Sequence, residues 1–195
     1  MKIKIIAEIG INHNGSLEIA KKLIDTAIIS GCDYVKFQKR NPDICVPDQQ
    51  KLKLKATPWG EMPYIDYKHK IEFGKEQFDE IDRYCSKRGM KWFASVWDLD
   101  SVDFMAEYVD ITKIPSAHLT NYELLNYARE KNNLMMLSTG MSREEDIEKS
   151  IKIGNPDVIF HTNSTYPCPV EELNLNYINS LKSKYPNKAI GYSGH

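Results

Sequence analysis

The sequence has no hydrophobic run long enough to cross a bilayer, no cysteine pair at metal-binding or redox spacing, and no surplus of charge of either sign. Each lack removes a class of function. The N-terminal stretch MKIKIIAEIGI is apolar but too short to span a membrane, and it lacks the small-residue cleavage site of a secretory leader, so it predicts a buried strand. No membrane partner is expected, and the default location is cytoplasmic. Cys32, Cys45, Cys85 and Cys168 form no CxxC pair and no His-flanked motif, which predicts free thiols in a reducing compartment. A formal net charge of −1 creates no global field for nucleic acid, and a small-molecule partner fits better. Neither a GxGxxG nor a GxxxxGKS/T loop is present, which weakens any nucleotide-binding fold.

What is present is ordinary. The chain has 195 residues, 10 of them glycine and 9 proline, so disordered and collagen-like classes fall away. That length allows one large domain with a real core, taken as residues 1–195.

The pattern alternates strand and helix. Ile3–Glu8 is a compact apolar run suited to a strand buried on both faces. A polar loop, Ile11–Gly15, follows, and Ser16 is placed to cap a helix carrying Leu17, Ala20, Leu23, Ile24 and Ala27 at helical spacing. Tyr34–Gln38 is the second strand. Lys39–Gly74 shows no clear periodicity and predicts a long loop, of the kind that is functional or mobile. A helix marked by Phe78, Ile81, Tyr84 and Cys85 ends near Gly89. Later strands are expected at Lys91–Val96, Asp110–Ile114, Leu134–Ser138, Asp157–His161 and Ala189–Ser193. Helices are expected between them at Ser101–Tyr108, Asn121–Lys131, from Ser142 onward, and at about Leu175–Tyr185. Ser142-Arg-Glu-Glu145 has the capping-box pattern.

Strands separated by helical patterns argue for parallel βαβ units, hence an open doubly wound sheet or a (β/α)8 TIM barrel. Polar and charged residues decide between them. They recur at nearly every strand end: Glu8, Lys36 and Gln38, Ser95, Lys113, Ser138, His161 and Ser164, His195. An open sheet concentrates its site at one switch point, whereas a barrel gathers residues from all strand ends at one mouth. The expectation is therefore an α/β TIM barrel truncated after the seventh strand, exposed at its edges, poorly stable and inactive alone.

Several segments together resemble the N-acetylneuraminate synthase family, which includes legionaminic and pseudaminic acid synthases. They are Ala7-Glu-Ile-Gly-Ile-Asn-His-Asn-Gly15, Val35-Lys-Phe-Gln38, Lys113-Ile-Pro-Ser116, Leu137-Ser-Thr-Gly-Met141, Tyr166-Pro167 and Gly191-Tyr-Ser-Gly-His195. The resemblance implies condensation of phosphoenolpyruvate with an N-acetylmannosamine-like hexosamine and water, giving a nonulosonic acid and phosphate. It also implies a divalent metal ion (Mn2+ or Mg2+), a homodimer in the full-length protein, and a C-terminal antifreeze-like domain that this sequence does not contain.

Such chemistry needs cations and N–H donors for two anionic groups, an electrophile for the aldehyde, and a carboxylate or metal-held water for proton transfer. Lys36 and Lys113 lie in strands that otherwise read as buried, where a lysine needs an anionic partner. That partner is phosphoenolpyruvate by resemblance, or an internal carboxylate. Glu8 ends an apolar run, and it serves proton transfer or water orientation by resemblance, or else pairs with a lysine. Gln38, Ser95, Ser116, Ser138 and Ser164 are candidate substrate-binding groups at strand ends. Gly140 frees N–H groups for an anion, and plain turn chemistry is the rival. Asn12 and Asn14 contact sugar or only shape a turn, with His13 between them. Tyr166 contacts substrate by resemblance or packs in the core. His195 matches a family metal ligand. Trp59, Tyr64, Tyr67 and Trp97 line a sugar pocket or anchor loops, and His69, His118 and His161 read as structural. The alternatives are another phosphoenolpyruvate–aldose condensing barrel, such as a 3-deoxy-octulosonate phosphate synthase, and a non-catalytic sugar- or phosphate-binding fragment. The first would require a site for a sugar phosphate, and Lys51, Lys53 and Lys55 in the 39–74 loop are explained more cheaply as solvated charge.

Overall fold

The apolar runs of the sequence become parallel strands joined by helices in the computed structural model, which describes residues 3–131 and 133–194. The chain divides into two units, Met1–Ser101 and Val102–His195. In the first, β1 (Ile6–Gly10) pairs parallel with β2 (Tyr34–Lys39), and α1 (Leu17–Ile29) connects them. Ser16 caps α1 as expected, its Oγ accepting from the Ile19 N–H at 3.3 Å, and Ala20, Ile24 and Ala27 form the buried stripe at helical spacing.

The expected long loop is instead built from short elements: α2 (Pro42–Cys45), α3 (Asp48–Lys51), an antiparallel hairpin of β3 (Leu54–Thr57) and β4 (Gly60–Pro63), and α4 (Tyr64–Ile71). Most of these pieces are four residues long, too short for a period to show in sequence. Then α5 (Lys75–Arg88) precedes β5 (Lys91–Val96), which pairs parallel with β2. Strand residues alternate between faces. Phe37 meets Phe78 of α5 and Trp92 of β5 at ring separations of 6.2 and 6.1 Å, whereas Lys36 looks to Glu8 and Ser95.

Strand one starts at Ile6, not Ile3. Ile3 and Ile5 are 83% and 54% exposed, so the first part of the apolar run is not buried on both faces. All four cysteines are free thiols.

After α6 (Leu99–Ala106), the second unit repeats the parallel plan: β6 (Ile111–Ile114), α7 (Tyr122–Lys131), β7 (Leu134–Ser138), α8 (Glu144–Gly154), β8 (Val158–Thr162), α9 (Tyr177–Lys184) and β9 (Ala189–Ser193). β6 pairs with β7, β7 with β8, and β8 with β9, all parallel. The expected capping box at Ser142 does not form. α8 starts two residues later, with Arg143 at the cap position, and Ser142 Oγ donates to the Gly140 carbonyl at 3.0 Å. The serine is used to fasten the turn after β7. No described helix is long and apolar enough to cross a membrane.

His13 fixes the loop after β1. It is buried, stacked on Phe73 at 3.9 Å, and its Nδ1 accepts from the Gly15 N–H at 3.1 Å. Burial pushes its pKa down to about 4, opposed only in part by a hydrogen bond to Gly10. The unfolded chain therefore takes up a proton near pH 6.5 that the folded protein refuses, and stability drains as pH falls from about 6.5 towards 4. Between pH 7 and pH 5 this group alone is expected to remove roughly 2 kcal/mol. Denaturant titrations of the wild type and His13→Phe check it: the variant should show the shallower pH dependence, and equal slopes would contradict the assignment.

Candidate functional site

In the first unit the C-terminal ends of β1, β2 and β5 bring four of the sequence-selected residues together. Glu8 stands opposite Lys36 in the β1–β2 register, and Gln38 opposite Ser95 in the β2–β5 register. Lys36 is 6% exposed, and its Nζ lies 2.6 Å from Glu8 Oε2 and donates to Ser95 Oγ at 2.7 Å. Burial depresses its pKa, and the Glu8 carboxylate works against that shift. A buried ammonium is thus held at the strand ends by a carboxylate that is itself half exposed. Gln38 Oε1 accepts from the Arg40 guanidinium. Asn12 and Asn14 are exposed on the loop after β1, outside this cluster.

Arg40 is a residue that sequence reading passed over. It is buried, with its guanidinium 4.2 Å from the Trp97 ring centroid. It follows Lys36 and Gln38 at the strand period of two, which is the signal that marks it. Lys68 was also missed; it is buried on α4 against Tyr64 and Tyr67. Trp59 lies under Lys70, 4.5 Å from its Nζ.

In the second unit Ser116, Gly140 and Ser164 converge. Gly140 N–H donates to Ser116 Oγ at 2.9 Å, and a Cβ added at Gly140 would fall 2.3 Å from Ser164 Oγ and 2.9 Å from Ser116 Oγ. Only glycine leaves both hydroxyls in place. Ser138 Oγ at the end of β7 is buried and has no hydrogen-bond partner among the described residues, an acceptor and donor left for something else. Lys113 at the end of β6 is 8% exposed, its ammonium 5.0 Å from the Phe160 ring centroid. Tyr166 is 83% exposed, which sets aside core packing for it. His161 Nε2 donates to the Leu173 carbonyl at 2.8 Å, and His69 pairs with Asp43 at 3.1 Å, both structural contacts. His195, the expected metal ligand, lies outside the described residues.

A model described as the NeuB family matches residues 23–195. The N-acetylneuraminate-9-phosphate synthase of Drosophila melanogaster is 34% identical over 203 residues, covering 99% of this chain and 54% of that protein. The N,N'-diacetyllegionaminic acid synthase of Campylobacter jejuni is also 34% identical, over 100% of this chain and 61% of its own length. The chain therefore spans little more than half the length of these relatives. Among solved structures, the N-acetylneuraminic acid (sialic acid) synthetase of Leptospira borgpetersenii, in complex with citrate, superposes with a TM-score of 0.89 at 30% identity, covering 100% of this chain and 66% of that one. The α/β barrel class expected from the strand ends is the fold this likeness gives.

Proposed function

The chain belongs to the NeuB family, and from that premise we propose that it carries the substrate-binding strand ends of a synthase joining phosphoenolpyruvate to an N-acetylmannosamine-like amino sugar. Carbon 3 of phosphoenolpyruvate attacks the sugar aldehyde and forms the new C–C bond. Water adds to carbon 2, and phosphate leaves with cleavage of its C–O bond.

The observation that carries this reading is the buried Lys36 ammonium with Glu8 beside it. An ammonium so desolvated attracts a dianion far more strongly than one in water. An anion arriving at Lys36 competes with Glu8 for it, and the half-exposed carboxylate is then released to orient water or move a proton. Ser95 and Gln38 complete that end. Lys113, Ser116, Ser138, Gly140, Ser164 and Tyr166 supply a second group of cation, hydroxyl and N–H donors, with Asn12 and Asn14 towards the sugar.

We include in the proposal a divalent ion (Mn2+ or Mg2+) at His195, a homodimer of the longer protein and a cytoplasmic location. Among the described residues no three His, Cys, Asp or Glu side chains gather to hold a metal ion, so these donors do not by themselves make up its site.

The test supplies phosphoenolpyruvate with N-acetylmannosamine, its 6-phosphate or arabinose 5-phosphate, to this chain and to a form extended through an eighth strand, and reads released phosphate. Release that depends on an amino sugar is expected from the longer form. Release with arabinose 5-phosphate alone would move the chain to the octulosonate class. Within the same assay, Gly140→Ala should raise the KM for phosphoenolpyruvate about 10- to 100-fold, because the new methyl turns Ser116 and Ser164 out of position. An unchanged KM would take Gly140 out of the site.

A further inference from the structure

In the second unit an aromatic ring is buried against the strand-end lysine. Lys113 pairs with Met136 in the β6–β7 register, Ser138 with Phe160 in β7–β8, and Phe160 with Gly191 in β8–β9. Residues paired across parallel strands, or two apart along one strand, share a face. Lys113, Met136, Ser138, Phe160 and Gly191 therefore lie on the same side of the sheet. Lys113 and Phe160 are both buried, and the ammonium lies 5.0 Å from the ring centroid. A lysine of β6 thus reaches past β7 to a ring carried by β8.

Gly191 gives that ring its room. A Cβ added there would fall 2.6 and 2.7 Å from Cε1 and Cδ1 of Phe160. Gly191 does not have a positive φ, so its backbone is one that any residue can adopt. What the position uses is the missing side chain, which lets a ring approach the strand closely. With a side chain at 191 the ring would have to move, and its face would leave the ammonium.

A ring face attracts an ammonium through its quadrupole and leaves the charge uncancelled. A carboxylate in its place would have to be displaced before a substrate anion could pair with the lysine, as Glu8 has to be at Lys36. The ring also limits where a long, flexible side chain can put its charge. Donors wait around the same strand ends. Ser138 Oγ is buried with no hydrogen-bond partner among the described residues, and the Gly140 N–H is directed at Ser116 Oγ.

We propose that Phe160, seated in the space that Gly191 leaves open, is a positioning residue: its ring face holds the Lys113 ammonium at the strand ends, where an anionic group of the substrate meets it. This deepens the synthase reading and rests on it only for which anion arrives.

The experiment places phenylalanine and its 4-fluoro, 3,5-difluoro and pentafluoro forms at position 160 of the protein extended through an eighth strand. Calorimetry measures binding of phosphoenolpyruvate and of inorganic phosphate, with thermal unfolding alongside. Fluorine drains negative charge from the ring face and leaves the ring's shape nearly unchanged. Binding of both anions should weaken stepwise along the series, by about 10-fold at the pentafluoro ring, while the melting temperature stays level. Phe160→Leu, which has no ring face, should bind no better than the pentafluoro form. Affinity that stays constant along the series overturns the positioning role, and so does a loss that follows the melting temperature instead of the number of fluorines. A graded series with phosphate, in a protein that condenses no phosphoenolpyruvate, would uphold the role of Phe160 while sinking the synthase reading.

Discussion

Replacing Lys36 with methionine lowers kcat/KM for phosphoenolpyruvate by a factor on the order of 1,000, about 4 kcal/mol of lost transition-state binding. The size follows from burial. The ammonium is 6% exposed and is held by Glu8, Ser95 and the Phe37 carbonyl, so little water screens it from a substrate anion that displaces Glu8. Methionine keeps the bulk and removes the charge. Stability should change by less than about 1 kcal/mol, because deleting a buried charge offsets the loss of its ion pair, and Glu8 can turn to water. Steady-state kinetics beside thermal unfolding separate the two effects. Kinetics that stay at the wild-type level would remove Lys36 from the site. A collapse of stability with activity lost in proportion would make the Glu8–Lys36 pair structural only.

Gly15→Ala is expected to cost on the order of 3 kcal/mol of stability, lowering the melting temperature by roughly 10 °C. Two causes add. Gly15 has φ +72°, where an L side chain is strained, and a Cβ there would lie 2.4 Å from the Lys70 backbone carbonyl oxygen. That oxygen belongs to the last turn of α4 and cannot rotate away like a side chain. Relief requires the loop after β1 to part from α4, which also pulls at His13, whose Nδ1 holds the Gly15 N–H. Thermal and denaturant unfolding measure it. A loss below about 1 kcal/mol would mean that loop and helix do not touch as described.

The strand ends were legible because a charged or polar residue in an apolar run has to be answered by something. Lys36, Ser95 and Lys113 stood out on that ground, and they are buried at the ends of β2, β5 and β6. The parallel strands themselves followed from compact apolar runs. The 39–74 segment was illegible for the opposite reason. Its elements are too brief to carry a period, and its lysines look like solvated charge until α4 turns Tyr64, Tyr67 and Lys68 onto one face, at i, i+3 and i+4. Burial of Lys68 is a product of tertiary packing, and no local pattern announces it. Ser142 misled because a capping sequence fixes a cap only when the serine is not wanted elsewhere, and here its hydroxyl is bonded to the Gly140 carbonyl.

A crystal structure with phosphoenolpyruvate bound asks the question of the chain itself. The account predicts a phosphoenolpyruvate oxygen within hydrogen-bond reach of Lys36 Nζ, taking a position at the strand ends that Glu8 Oε2 now shares. Ligand bound elsewhere, with the Glu8–Lys36 ion pair unchanged, would contradict it.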